Sequence, residues 1–524
     1  MENKNKEYFI NKLEIIGYTL LILFFIISNY FLMKNINLLI DSDMSNELIY
    51  SQLLSEEKSF LSKNWYYSTE LRVLNTQLIF APLFLFTNNF YYVRVIGTII
   101  SEIILLLSFY YMCYKYKIKK IWLFLFFICG SCSLVYFDFF IKAPHYIPYL
   151  STCFLSIGLL KAYIQSKTKN EKLIYICILV LLAILSSMNG ARMVESLYAP
   201  LLLSICLLLF INIIKKEKFN KHLKELFFVI LITFFASIIG YFICSKILAN
   251  IYSFNISQFD LIINIPSIGR IKDVIYLIFT CFGYTNSMGL LYKIISFVFA
   301  SATIVLTIFS SINVVIDKAF NAEDKLIVYL LFISCACTCM VLLFTNIAAV
   351  PRYLQLNTVL CYAIIALYYR NNNINIINFL VTIMAIFCII NNFLFTNYKV
   401  KDTSHNELFE MINIIKEERI TEGIASFWSG AILNELTNNE IDAWHYQTFD
   451  YMDVNDILTL NSGKWLQRKE HFDRPPGGKI FFLIDKDSSF IEKEIIKPFL
   501  IYNGKYRQLY IFESYEQFVE AFIN

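Results

Sequence analysis

The chain has 524 residues, of which 57% are hydrophobic, 17% aromatic and only 16% charged. Soluble chains carry about a quarter charged residues, so a soluble multidomain protein is excluded and a polytopic α-helical membrane protein remains. The formal net charge of +4 is small for this length and points to no nucleic acid partner.

A membrane helix needs about 20 mostly apolar residues. Runs of that kind lie at about 15–33, 91–113, 121–140, 145–164, 173–188, 197–214, 225–248, 291–314, 326–345, 353–370 and 374–396, which predicts about eleven transmembrane helices. The first run is too long for a cleaved leader and lacks a small-residue cleavage site. Alternate connections are rich in lysine: Lys4, Lys6 and Lys12; Lys115, Lys117, Lys119 and Lys120; Lys167, Lys169 and Lys172; Lys215, Lys216, Lys218, Lys221 and Lys224. The positive-inside rule places these in the cytoplasm, with the N-terminus inside and the C-terminus outside. The thirteen cysteines all fall in or beside apolar runs, so disulfides hold no external part together.

Three segments then face outward. The first, 34–90, opens with Asp41 and Asp43 ahead of apolar residues at 44, 48, 49, 53 and 54, the spacing of an amphipathic helix lying on the outer leaflet. Carboxylates at a helix start stay ionised; they cap the helix, accept a proton from a hydroxyl, or hold a cation against a phosphate. Further along, Trp65, Tyr66, Tyr67, Glu70, Arg72 and Asn75 mix aromatic and polar groups, which suits a headgroup-level belt or contact with sugar. The second outer segment, 250–290, carries apolar stretches at 260–265 and 274–282 that read as interfacial.

The tail, 397–524, reads as a separate α/β domain outside the membrane. Helices are predicted at 406–419, 430–437, 464–471, 489–496 and 516–522, and strands at 423–427, 440–445, 479–485 and 508–512. Their alternation predicts parallel pairing. No glycine-rich phosphate loop marks nucleotide binding. Trp428 and Trp444 read as core residues, and Asp442 with His445 is too small a set for a metal.

Cations gather near the predicted outer ends of later spans. Lys142 and His145 lie in Asp138–Tyr146, Arg192 follows Asn189-Gly190-Ala191, and Arg352 follows Val350-Pro351. Arginine suits bidentate contact with phosphate, while each of these alone also suits snorkelling or a local pair, as between Arg192 and Glu195. Glu102 falls mid-span, where a carboxylate is costly.

The order of one span, an outer loop opening on Asp41-Ser42-Asp43, an amphipathic helix, a leaflet-level stretch, and a second span opening Tyr92-Val93-Arg94-Val95 resembles the GT-C superfamily of membrane glycosyltransferases, such as protein O-mannosyltransferases and aminoarabinose transferases. The detailed likeness covers residues 10–120. The resemblance implies a GT-C-like transmembrane domain over 1–396 and an inverting transfer of sugar from a polyprenyl-phosphate donor to an extracytoplasmic glycan, lipid or protein acceptor, at the bacterial inner membrane. It assigns the catalytic carboxylate to Asp41 or Asp43, since Ser42 stands where a Glu is common. Lipid-phosphate contacts fall to Arg94, Lys142, His145, Arg192 and Arg352, and acceptor or sugar contacts to Tyr66, Tyr67, Glu70 and Arg72. A divalent cation at the acidic pair is the only cofactor suggested, without a complete ligand set. The competing expectations are a transporter or flippase of lipid-linked glycans, for which no internal repeat is found, and a polysaccharide polymerase, whose catalytic loop sits mid-chain.

Overall fold

The structure is a computed structural model and describes residues 2–69, 71–216, 221–254, 263–371, 375–401, 403–446, 464–486 and 494–523. Its elements run α1 (Glu2–Lys34), α2 (Ser42–Glu57), β1 (Trp65–Tyr66), α3 (Gln77–Phe84), α4 (Phe90–Lys115), α5 (Ile121–Cys129), α6 (Leu134–Ile141), α7 (Ile147–Gln165), α8 (Lys169–Ser187), α9 (Ala199–Ile214), α10 (Lys221–Phe242), α11 (Ile268–Cys281), α12 (Leu290–Ile316), α13 (Ala322–Phe344), α14 (Gln355–Asn371) and α15 (Asn375–Lys401). The tail continues with α16 (His405–Glu417), β2 (Glu422–Ser426), α17 (Phe427–Leu436), β3 (Asp442–Tyr446), β4 (Gln467–Arg468), β5 (Ile480–Asp485), β6 (Leu500–Asn503), β7 (Arg507–Phe512) and α18 (Tyr515–Ile523).

Among the described residues nine helices are long and apolar enough to cross a membrane, ten when the bent pair α5–α6 counts as one span. The eleven expected runs differ in two places. The run at 121–140 breaks at Gly130, and its halves stand 78° apart. Backbone groups freed at such a break must be satisfied within the protein. Here the Ser131 amide donates to the Cys388 carbonyl at 3.0 Å, the Asn392 side chain donates to the Cys129 carbonyl at 3.0 Å and to Ser28 at 2.9 Å, and the Ser131 hydroxyl bonds to Asn392. The run at 353–370 yields only the 17-residue α14, preceded by a 3-10 turn at Pro351–Leu354. Every residue from Val359 to Tyr369 is buried, so this helix is apolar all round because protein surrounds it.

The contacts divide the chain into two units. One comprises Met1–Phe31, Ser101–Lys246 and Ser257–Phe395; the other comprises Leu32–Ile100, Ile247–Ile256 and Thr396–Asn524. This differs from a cut at 396/397, because residues 32–100 fold with the tail.

The first unit is a helical bundle in which α8 packs on α10 and α7, α9 on α13, and α12 on α14. The Glu102 carboxyl group in α4 receives a hydrogen bond from Asn29 at 2.8 Å, so this mid-span polar group has a polar neighbour inside the bundle. Residues 250–290 yield α11, whose Val274, Leu277 and Cys281 are buried while Ile268, Ile271 and Ile275 stay exposed; residues 255–262 lie outside the described set.

The second unit is built on a five-stranded sheet of order β3-β2-β5-β7-β6. The β3, β2 and β5 pairs are parallel, as the alternating pattern implied, but β5–β7 and β7–β6 are antiparallel. Trp444, Phe482, Tyr510, Phe512 and Phe518 fill its core. From β2 the chain passes through α17 to β3 on one side, and β5 lies on the other side of β2. In open α/β sheets that reversal leaves a ligand crevice at the strand ends. Here side chains close it: the Ser426 and Ser429 hydroxyls bond to Asp485, and Arg507 Nε contacts Ser429 Oγ at 2.8 Å and Asp485 at 3.0 Å.

Two tail predictions change. The expected helix at 464–471 is instead β4, followed by a 3-10 turn at Lys469–Phe472. Its backbone pairs antiparallel with β1, Trp65 opposite Arg468 and Tyr66 opposite Gln467, and a strand partner overrides local helix preference. Most of the helix expected at 489–496 lies outside the described residues; its end is a 3-10 helix, Glu494–Phe499.

Candidate functional site

In the first unit three connections meet that the sequence scatters over 200 positions. They follow α6, follow α8, and precede α14, and each lies at the opposite ends of its helices from the lysine-rich turns after α4, α7 and α9. Local chemistry shapes all three. Pro144 starts the 3-10 turn before α7. Gly190 turns the chain after α8 with φ of 127°, a region that side chains disfavour. Pro351 starts the turn before α14. Arg270 of α11 braces the third connection: its Nε donates to the Leu342 carbonyl at 2.7 Å, and its guanidinium also bonds to the Ile347 carbonyl. A cation at the last turn of α13 is favoured by the helix dipole.

Arg192 and Arg352 come together there. The Arg192 guanidinium carbon lies 5.0 Å from the Tyr146 ring centre, 5.2 Å from Tyr149 and 6.0 Å from Tyr353. That of Arg352 lies 5.5 Å from the same Tyr353 ring. Cation–π contacts hold the two like charges close. Among the described residues no carboxylate stands within ion-pair distance of Arg352, and its buried Nε has no hydrogen-bond partner. Both arginines line a small cavity of about 50 Å³ with Phe140 and Tyr146. Arg192 and Tyr353 also line a larger, mostly apolar cavity of about 330 Å³ between α9 and α13, walled by Ala199, Pro200, Thr338 and Val341, with Glu195 one turn after Arg192 in the same lining. A paired cationic head beside an apolar slot suits a phosphate carrying a lipid tail. Tyr149, Tyr353 and Arg270 were missed as site residues; their signal was only proximity in sequence to a cation or a proline.

Lys142 and His145 belong to the first of these connections. Lys142 is buried and pairs with Asp138 one turn earlier at 3.6 Å, so its charge is matched locally rather than offered to a ligand. His145 sits half-buried in the Pro144 turn.

The second unit holds the remaining predicted residues. Asp41 caps α2, its Oδ1 accepting from the Met44 amide at 3.0 Å, and Asp43 lies in the first turn; both are half-buried. The helix forms as predicted but does not lie on a surface. Met44, Leu48, Ile49, Tyr50 and even Glu47 are buried, because α3 packs on one side and α17 on another. Gly97 admits this packing: a Cβ there would come within 2.1 Å of the Phe80 ring of α3.

Arg94 is fully buried and engaged. Its Nε and Nη2 grip the Glu435 carboxylate of α17 at 2.9 and 2.7 Å, and Nη2 donates to the Met44 carbonyl at 2.8 Å. The arginine expected at a lipid phosphate is instead a bracket between α4, α2 and α17.

The aromatic cluster is core, neither a headgroup belt nor a sugar platform. Trp65 and Tyr67 are buried, and the Tyr67 hydroxyl meets that of Tyr50 at 2.9 Å. Burial pushes the Tyr67 phenol up. Tyr66 is half-buried, covered by Phe472 at 5.0 Å and by the Lys469 ammonium at 5.3 Å. Arg72 takes a left-handed backbone, φ 57°, and its carbonyl accepts from Gln77. Glu70 lies outside the described residues.

In the tail, Trp444 is core as read, but Trp428 is 57% exposed. Asp442 faces His471 at 3.0 Å, and His445 instead contacts the Trp465 carbonyl at 3.0 Å. Burial lowers the His445 pKa to about 4. The unfolded chain takes up a proton near pH 6.5, which the folded chain refuses until about pH 4. Stability is therefore fully present above pH 6.5 and falls by about 3 kcal/mol as pH drops to 4. Hydrogen exchange of β3 amides, corrected for intrinsic rates, should record that loss, and His445→Gln should flatten it. An unchanged slope in the variant would assign the acid sensitivity to other groups.

Among the described residues no group of three or more His, Cys, Asp or Glu is placed to hold a metal ion. Asp41 and Asp43 by themselves are too few donors for a divalent cation. No protein-family model matches the chain, and no curated protein matches it.

Proposed function

We propose that this protein is an inverting membrane glycosyltransferase that takes a sugar from a polyprenyl-phosphate donor and passes it to an acceptor outside the cytoplasm. The observation that carries the phosphate half of this reading is the sharing of Tyr353 by Arg192 and Arg352 beside an apolar cavity. Arg94 and Lys142 leave the phosphate set, each having its own carboxylate. The glycosyl half rests on the resemblance carried by Asp41-Ser42-Asp43 and the order of elements around it.

In the proposed reaction the acceptor hydroxyl attacks the anomeric carbon and the bond to the phosphate oxygen breaks. The lipid phosphate leaves with the electron pair, stabilised by the two guanidiniums. The hydroxyl proton passes to a carboxylate, the role that the resemblance gives to Asp41 or Asp43. The arginine connections take the outer side by their separation from the lysine-rich turns.

Asparagine substitution separates the two roles of the acidic pair. Asn caps a helix as well as Asp does, so Asp41→Asn keeps α2 and removes the charge. Release of polyprenyl phosphate from a labelled donor by protein in lipid should fall by about 10²–10⁴ in the doubly substituted Asp41→Asn, Asp43→Asn protein. Undiminished release would remove the base assignment. Movement of intact donor between leaflets, without cleavage, would establish the transporter reading instead.

A further inference from the structure

A second apolar cavity lies in the second unit, about 430 Å³ in volume, between the end of α2 and α3. Leu78, Ala81, Pro82 and Leu85 form its greasy wall, with Phe60 opposite, and Ser55, Lys58 and Ser59 form a polar rim. The proposed transfer reaction uses none of these residues.

Two observations say what covers it. The first is continuity with the membrane. Helix α3 ends six residues before α4, a helix of membrane-crossing length and hydropathy. Six residues reach about 20 Å at most, and the Phe80 ring of α3 packs on Gly97 of α4, so α3 lies beside the first turns of that helix. Between the helices Phe86 is 85% exposed, and Phe60 across the cavity is 82% exposed. Exposed Tyr91, Tyr92 and Ile96 of α4 continue the same apolar character. Aromatic side chains left uncovered at that level belong in lipid, not water. The second observation is charge. Lys58 ends α2 in the left-handed conformation, φ 51°, its amide bonded to the Leu54 and Ser55 carbonyls, and the residue is exposed at the rim. Lys63, also exposed, follows in the same turn region. The α2 side of the cavity thus carries Lys58 and hydroxyls: of the neighbouring carboxylates, Glu56 pairs with Arg468 and Glu57 accepts from Ser59, Ser62 and Asn64, and the α3 side is apolar apart from Gln77.

We infer that this groove binds a bilayer phospholipid with an anionic headgroup, one alkyl chain lying along α3 and the phosphate beside Lys58, Ser55 and Ser59. The site is distinct from the Arg192–Arg352 cavity, and its failure would leave the transfer reaction untouched.

The full-length protein, carrying p-benzoylphenylalanine in place of exposed Phe60, tests this in nanodiscs of mixed phosphatidylglycerol and phosphatidylcholine. Irradiation followed by mass spectrometry of the 58–63 peptide should show phospholipid adducts, with phosphatidylglycerol enriched about fivefold over its share of the bilayer. Lys58→Glu, at an exposed position that leaves the packing intact, should remove that enrichment. Ala81→Trp, which fills the groove, should cut total adduct yield. Absence of lipid adducts, adducts to a second copy of the chain, or a lipid ratio equal to that of the bilayer would each overturn the assignment.

Discussion

Replacement of both Arg192 and Arg352 by alanine is expected to abolish polyprenyl-phosphate binding while leaving the bundle at least as stable as before. The two guanidiniums share the Tyr353 ring, and no carboxylate among the described residues neutralises Arg352. Their mutual repulsion is offset in part by the tyrosine faces at about 0.5–2 kcal/mol each. In the proposed reading a lipid phosphate binds between them. Each charge-assisted contact contributes about 1.5–3 kcal/mol, so a single alanine should weaken binding roughly 10- to 150-fold, and the pair multiplies the losses unless the sites couple. Arg352→Lys keeps the charge but loses the planar fork and its stacking on Tyr353, and should fall between wild type and alanine. The check is titration of a fluorescent polyprenyl monophosphate, alongside thermal unfolding in the same detergent. Equal affinity in the double variant would end the phosphate assignment. Weakened binding with a large loss of stability would make the arginines structural instead.

The Arg94–Glu435 pair should show the opposite signature. It is buried on both sides, bidentate, and joins residues 341 positions apart. Removing one partner leaves the other charged and buried, at a cost of about 3–5 kcal/mol. Glu435→Ala should therefore loosen α17 from α2 and α4 and open α2 to hydrogen exchange. Replacing both partners with apolar residues, Arg94→Met with Glu435→Leu, should restore much of the loss, because no unpaired charge remains. Phosphate affinity should not follow these variants. If Glu435→Ala leaves exchange in α2 unchanged, the ion pair contributes nothing to holding α2.

Much of the bundle was legible because the bilayer imposes a length. Wherever about 20 apolar residues run together, a helix follows, and nine such helices stand among the described residues. The start of α2 was equally legible: Asp41 ahead of a helical apolar pattern predicts the cap that forms. What escaped were features set by particular distant partners. The turn of the chain at Gly130 depends on Asn392, the strand at Gln467 depends on Trp65 and Tyr66, and the burial of α2 depends on α17. A local pattern reports which face is apolar, and it does not report what will cover that face.

The candidate residues divide along the same line. By itself the sequence determined that this is a membrane-embedded chain with a mixed α/β tail, and that cations gather at one set of helix ends, because hydropathy and charge act at each residue where it stands. Only the tertiary structure decided which of those cations meet distant partners. Arg94 found Glu435, while Arg192 and Arg352 came to share a tyrosine ring. A charge's role depends on its nearest opposite charge, and for Arg94 that partner lies 341 residues away along the chain.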